Sequence, residues 1–181
     1  LLITGKVIIN ATGVFSDRVI QMDKPEARPM IRPSQGVHVV LEKEFLDGPH
    51  AIMIPHTSDG RVLFAVPWHN HVVLGTTDTP IDETLEEPRP KDEEIDFILA
   101  NAGQYMTKKP KRKDVKSVFA GLRPLAANQG SDTETKEISR HHKVNVSTSG
   151  LISLLGGKWT TYRKMAEDAI NTASMVGGLK D

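Results

Sequence analysis

The chain contains no cysteine. Structural disulfides, thiolate metal sites and a cysteine nucleophile are therefore excluded within it. It also lacks an excess of either charge, since 23 Lys and Arg balance 23 Asp and Glu. Without a basic stripe, nucleic acid is not the expected partner. The densest basic run, Lys108 to Lys113, is broken by Pro110 and reads as a solvated loop. No apolar run approaches the roughly 20 residues that a membrane-spanning helix needs. No signal-peptide pattern is visible, so cytosolic exposure is expected. Internal repeats and low-complexity segments are absent as well. There is no initiating methionine: the chain opens on Leu1-Leu2-Ile3-Thr4-Gly5-Lys6-Val7, which reads as a strand pair entered midway, in a piece excised from a longer protein. Its 181 residues can bury one core, or one domain and a small appendage.

What is present alternates between strand and helix patterns. Val7-Ile8-Ile9 is an apolar run that ends in the turn Asn10-Ala11-Thr12-Gly13, and Val14 to Met22 reads as a short helix capped near Ser16. After a loop carrying Pro25, Pro29 and Pro33, the pattern from Gly36 to Thr77 is dominated by strands. Val37, Val39 and Leu41 alternate with His38, Val40 and Glu42, while Val62–Trp68 and Val72–Gly75 flank a hairpin turn at His69-Asn70-His71. Asp92-Glu93-Glu94 open a run in which Ile95, Ile98, Leu99, Ala102 and Met106 recur at helical spacing. Strands are expected at 115–122, around Ile138, at 144–146 and at 151–155, and a last helix from Thr160 to Gly177-Gly178. This order predicts an α+β fold: a mainly antiparallel sheet of about six strands with helices packed on one side.

Several groups could carry chemistry. Gly156-Gly157-Lys158-Trp159-Thr160-Thr161-Tyr162-Arg163 joins an apolar strand to a helix. Glycines there let backbone approach a ligand, and the following helix directs its unpaired N–H groups at it. Lys158 adds a mobile cation. The same residues also read as a turn with Thr160 or Thr161 as a helix cap. Arg123, fixed between Leu122 and Pro124 at a strand end, can fork onto phosphate or carboxylate, or simply be a surface arginine. Arg140, Arg123 and Lys158 together would bring about three positive charges, as a dianionic substrate requires on desolvation. His38 in its apolar strand is either a satisfied structural group or a general base whose pKa suits proton removal near neutrality. His69 and His71 would share a strand face, but no carboxylate lies close in sequence, and no metal site is expected.

In their ordered succession these segments resemble the FAD-dependent glycerol-3-phosphate dehydrogenases, over nearly the whole chain. The resemblance is carried by Ile9-Asn10-Ala11-Thr12-Gly13, Pro33-Ser34-Gln35-Gly36-Val37-His38-Val39-Val40, Val66-Pro67-Trp68 and Leu74-Gly75-Thr76-Thr77-Asp78. Ala120-Gly121-Leu122-Arg123-Pro124-Leu125, Ile138-Ser139-Arg140 and the Gly156–Arg163 segment complete it. It implies the amino-acid-oxidase-like flavoprotein fold and oxidation of sn-glycerol 3-phosphate to dihydroxyacetone phosphate, with electrons passing to quinone or, in some members, to oxygen. By the same resemblance His38 is the base, Arg123 and Arg140 hold substrate, and Lys158 stabilises charge on the flavin. Thr12, Gly13, Gly156, Gly157, Lys158 and Thr160 would contact FAD. The Gly-rich dinucleotide fingerprint G-x-G-x-x-G is missing. The expected organisation is thus a remnant of the FAD-binding domain (1–30), a substrate-binding sheet domain (31–150), and a return strand and helix of the FAD-binding domain (151–181). The isolated chain is expected to be inactive, and the whole protein is expected in the cytoplasm, with peripheral contact at the inner face of a membrane left open. An amine or amino-acid oxidase of the same fold, or a cofactor-free anion-binding module, are the alternatives.

Overall fold

The computed structural model describes residues 2–106, 108–127 and 141–179. The chain divides into two compact units. The first comprises residues 1–34, 80–84 and 123–181, and the second residues 35–79 and 85–122.

The first unit is built on a three-stranded sheet of β1 (Ile9–Asn10), β9 (Ile152–Gly156) and β8 (His142–Val146), in that order. β1 runs parallel to β9, and β8 runs antiparallel to it. Helices α1 (Ser16–Asp23) and α3 (Tyr162–Gly177) accompany this sheet. Ile20 of α1 buries against Leu155 of β9 together with Ile31 and Ala126. The carboxylate of Asp17 receives the backbone N–H groups of Met30 and Ile31 at 2.9 and 3.0 Å, which fixes the entry into β2 (Ile31–Glu42).

The second sheet has six strands in the order β3-β4-β5-β2-β6, with β7 also pairing with β2. Here β3 is Ile52–Ile54, β4 is Leu63–Trp68, β5 is His71–Gly75, β6 is Thr79–Pro80 and β7 is Ser117–Ala126. The pairs β3–β4, β4–β5 and β5–β2 are antiparallel and lie in the second unit. Period-two alternation assigns the faces. Val37, Val39, Leu41, Ile54, Leu63, Ala65, Val72 and Leu74 point to one side and are buried. That side receives α2 (Asp92–Ala102) through Ile95, Ile98, Leu99 and Ala102. Met106 is buried in the same core, although the helix ends four residues earlier.

Two strands run longer than the sequence pattern indicates. β2 already begins at Ile31 and includes Pro33, and β7 continues through Pro124 to Ala126. Proline removes a donor, not an acceptor. The carbonyl of Pro33 accordingly still accepts the N–H of Ile81 at 3.2 Å. The strand expected around Ile138 lies outside the described residues.

Candidate functional site

The face of the second sheet opposite α2 carries a cavity of about 710 Å³. Strand register sets its wall in rows. His38, Gly75 and Phe64 lie side by side across β2, β5 and β4, followed by Val40, Val73 and Val66, and then by His71 and Trp68. Thr76 and Phe119 complete the lining. The volume falls in the range of small-molecule sites, roughly 300–1,000 Å³. The wall is mostly apolar, and Phe64 and Trp68 are 47% and 62% exposed.

His38 is placed by four neighbours. Val37 and Val39 are buried on either side of it, so the pleat directs its imidazole away from α2. Phe119 stacks on the ring, with centroids 4.9 Å apart and planes 9° from parallel. Gly75 lies beneath it: a Cβ there would stand 2.2 Å from the imidazole. A residue with a side chain would therefore expel the ring from this position. Sequence patterns pointed to His38; they gave no sign of Phe119 as its partner, and Gly75 read as an ordinary strand end.

The lining provides an imidazole that can take a proton and a wall that sheds water. Among the described residues it contains no lysine or arginine. A charged substrate would need compensating cations from residues beyond the lining.

In the first unit, the loop between β9 and α3 brings together Gly156, Gly157, Lys158 and Thr160. Both glycines have positive φ, 71° and 87°. A Cβ on Gly156 would press on the carbonyl of His141 and on Ala126, and one on Gly157 on Met165. Glycine is thus required here by the chain's own packing, whatever a ligand adds. Lys158 and Thr160 are exposed. Thr161 closes the turn, accepting the N–H of Lys158 at 3.3 Å and donating to its carbonyl at 3.0 Å.

Thr12 and Gly13 follow β1, the strand paired with β9. Asn10 is buried and ties the pieces together. Its amide donates to the carbonyl of Ser16 at 3.0 Å and to Ser153 Oγ at 3.3 Å, and its Oδ1 accepts from the Thr12 hydroxyl at 2.7 Å. Sequence reading valued Asn10 only as a turn residue. Arg123 sits on β7, three residues before Ala126, and is half-buried. Arg140 lies outside the described residues.

Of the remaining histidines, His69 occupies the β4–β5 turn at φ 52° while His71 opens β5. His142 Nε2 lies 2.8 Å from Asp168 Oδ2, and Lys164 lies 2.9 Å from the same carboxylate. Lys164, and then His142, hold Asp168 below the ordinary carboxylate range. Among the described residues no group of three or more His, Asp or Glu is arranged to hold a metal ion, and no helix is long and apolar enough to cross a membrane.

The profile of the FAD dependent oxidoreductase family matches residues 3–163. The chain belongs to that family. Among its relatives, the mitochondrial glycerol-3-phosphate dehydrogenase of Homo sapiens is 44% identical over 180 residues, which is 98% of this chain and 24% of the relative. Among solved structures, the glycerol-3-phosphate dehydrogenase from Bacillus halodurans complexed with FAD superposes with a TM-score of 0.80 at 35% identity, covering 96% of this chain and 32% of that one. Glycine oxidase from Bacillus cereus superposes with a TM-score of 0.56 at 15% identity, over 97% of this chain and 43% of that one, and shares the fold alone. These neighbours place the FAD-dependent oxidoreductase chain in the amino-acid-oxidase-like fold. It spans about a quarter of the length of the mitochondrial relatives.

Proposed function

We propose that this chain is part of a FAD-dependent glycerol-3-phosphate dehydrogenase, which oxidises sn-glycerol 3-phosphate to dihydroxyacetone phosphate and passes the electrons on to quinone. The carrying observation is 44% identity to the mitochondrial dehydrogenases along 98% of the chain. In this reading residues 31–150 bind substrate, and residues 1–30 and 151–181 belong to the cofactor side.

The oxidation removes a hydride from the central carbon and a proton from its hydroxyl, leaving the ketone. FAD, when bound, supplies the two-electron acceptor for the hydride. His38 takes the hydroxyl proton, for which an imidazole is matched near neutral pH. Phe64, Val66, Val73 and Phe119 give it largely apolar surroundings. By the resemblance to the dehydrogenases, Arg123 and Arg140 would hold the substrate phosphate, whose oxygens match their guanidinium forks.

The donor set of the β9–α3 loop fits an electron-accepting ring. Lys158 is an exposed cation, and it directly follows the positive-φ pair Gly156 and Gly157. Thr12, Gly13 and Thr160 would border the same group. The missing Gly-rich fingerprint means that the pyrophosphate of FAD needs residues beyond those of this chain.

The test is substrate-dependent dye reduction by the full-length enzyme purified with FAD. Glycerol 3-phosphate should support it, and glycine should not. Reduction with an amino acid in place of glycerol 3-phosphate would replace this reading with that of an amino-acid oxidase.

A further inference from the structure

Glu94 stands in the first turn of α2 yet is only 5% exposed. Four donors converge on its carboxylate. Oε1 accepts from the hydroxyls of Thr77 at 3.0 Å and Thr79 at 2.6 Å. Oε2 accepts from Gln35 Nε2 at 2.7 Å and from the backbone N–H of Lys91 at 2.9 Å. Only the last of these is an ordinary helix-capping bond. The other three reach out of the helix into the sheet.

Their destinations are specific. Gln35 lies three residues before His38, and its amide also donates to the carbonyl of Arg89 at 3.0 Å. Thr77 directly follows Thr76, which lines the cavity. The Thr77 hydroxyl in turn accepts the N–H of Val37, the neighbour of His38, at 2.9 Å. A relay therefore runs from Val37 N–H through the Thr77 hydroxyl to Glu94. Gln35 and Thr77 are both buried, so solvent cannot replace these bonds.

A buried carboxylate without a cationic partner is costly to desolvate. Helix capping alone does not call for a charge, because a Gln at the same third helical position makes the same bond to the N-cap N–H. We propose that Glu94 is a positioning residue for His38: it locks the His38 stretch of β2 against the Gly75–Thr77 stretch and so holds the imidazole against Phe119 over the cavity. This rests on the assignment of His38 as the proton acceptor. The carboxylate itself touches neither the cavity lining nor the imidazole; it acts through Thr77, Thr79 and Gln35.

The imidazole signals of the isotopically labelled chain, with His38 assigned by His38→Asn, provide the readout. Thr77→Val preserves volume and breaks the relay. Glu94→Gln exchanges an accepting oxygen for a donating amide. Both variants should displace the His38 ring resonances and move its titration midpoint by about half a pH unit, roughly a threefold change in proton affinity. The His142 signals should stay in place, and Thr77→Ser should restore the His38 signals. Folded variants with unmoved His38 signals would overturn the proposal. So would a result in which Thr77→Val and Glu94→Gln both fail to fold while Thr77→Ser folds, because the carboxylate would then serve stability alone. In the full-length enzyme, Thr77→Val should lower turnover with little change in KM. An enzyme inert toward glycerol 3-phosphate would defeat the functional reading and leave the imidazole signals to decide the positioning role.

Discussion

At position 75 glycine is demanded by a neighbour, not by its own backbone. The His38 ring occupies the space that a Cβ would fill, whereas at Gly121 a Cβ would meet nothing within 4 Å. Gly75→Ala should therefore displace the imidazole, visible as lost ring-current shift from Phe119, and abolish most turnover in the full-length enzyme. Gly121→Ala should change stability by no more than about 0.5 kcal/mol. Arg123 makes a different prediction. Lysine keeps its charge but loses the planar fork, so Arg123→Lys should cost roughly 1.5–3 kcal/mol. Steady-state kinetics with glycerol 3-phosphate and a dye should show catalytic efficiency down about ten- to a hundredfold. Unchanged efficiency would leave Arg123 a structural residue of β7. At this scale His38 was legible because a lone titratable group interrupts an apolar alternation. Phe119, 81 positions further along, carried no signal, since stacking depends on pairing between strands.

The junction of α2 with the sheet is the core of the second unit. Ile98 is fully buried there against Val37, Leu41 and Leu74. Ile98→Ala should destabilise by about 2–5 kcal/mol, from lost transfer energy and the cavity left behind; urea unfolding measures it. The same junction is acid-sensitive through Glu94. Burial pushes its carboxyl upward, but hydrogen bonds from Thr79, the Lys91 N–H, Gln35 and Thr77 outweigh this and hold it below the ordinary 4.5. The folded state thus binds this proton more weakly than the unfolded chain does. Its stabilisation is fully present above about pH 4.5 and is lost as pH falls from there through the folded value. Wild type should lose stability below that pH more steeply than Glu94→Gln, as unfolding midpoints at pH 7, 5 and 3.5 would show. Sequence reading took Asp92-Glu93-Glu94 as three charges favouring a helix N-terminus. One of them is a buried hub, and only the partners at 35, 77 and 79 distinguish it from the other two.

For the whole molecule, the decisive feature is a family fold that this chain spans in part. The parent is expected to hold FAD through residues beyond it, so the 181-residue chain should elute from gel filtration without flavin absorbance. Yellow colour retained through the column would contradict this. The sequence by itself determined the family, the α+β class, the amphipathic α2 and the strands around His38. These depend on local periodicity and on motif order, which survive in one dimension. It placed the start of β2 too late and the end of β7 too early because proline was weighed as a strand breaker, although its carbonyl still accepts a ladder bond. Only the tertiary structure decided that Gly75 makes room for an imidazole, that Gly156 and Gly157 are required by internal packing, and that Glu94 gathers donors from three segments. Each of these depends on atoms brought together from positions far apart in the chain, and the spacing of residues along a sequence carries no record of which side chains will share one small volume.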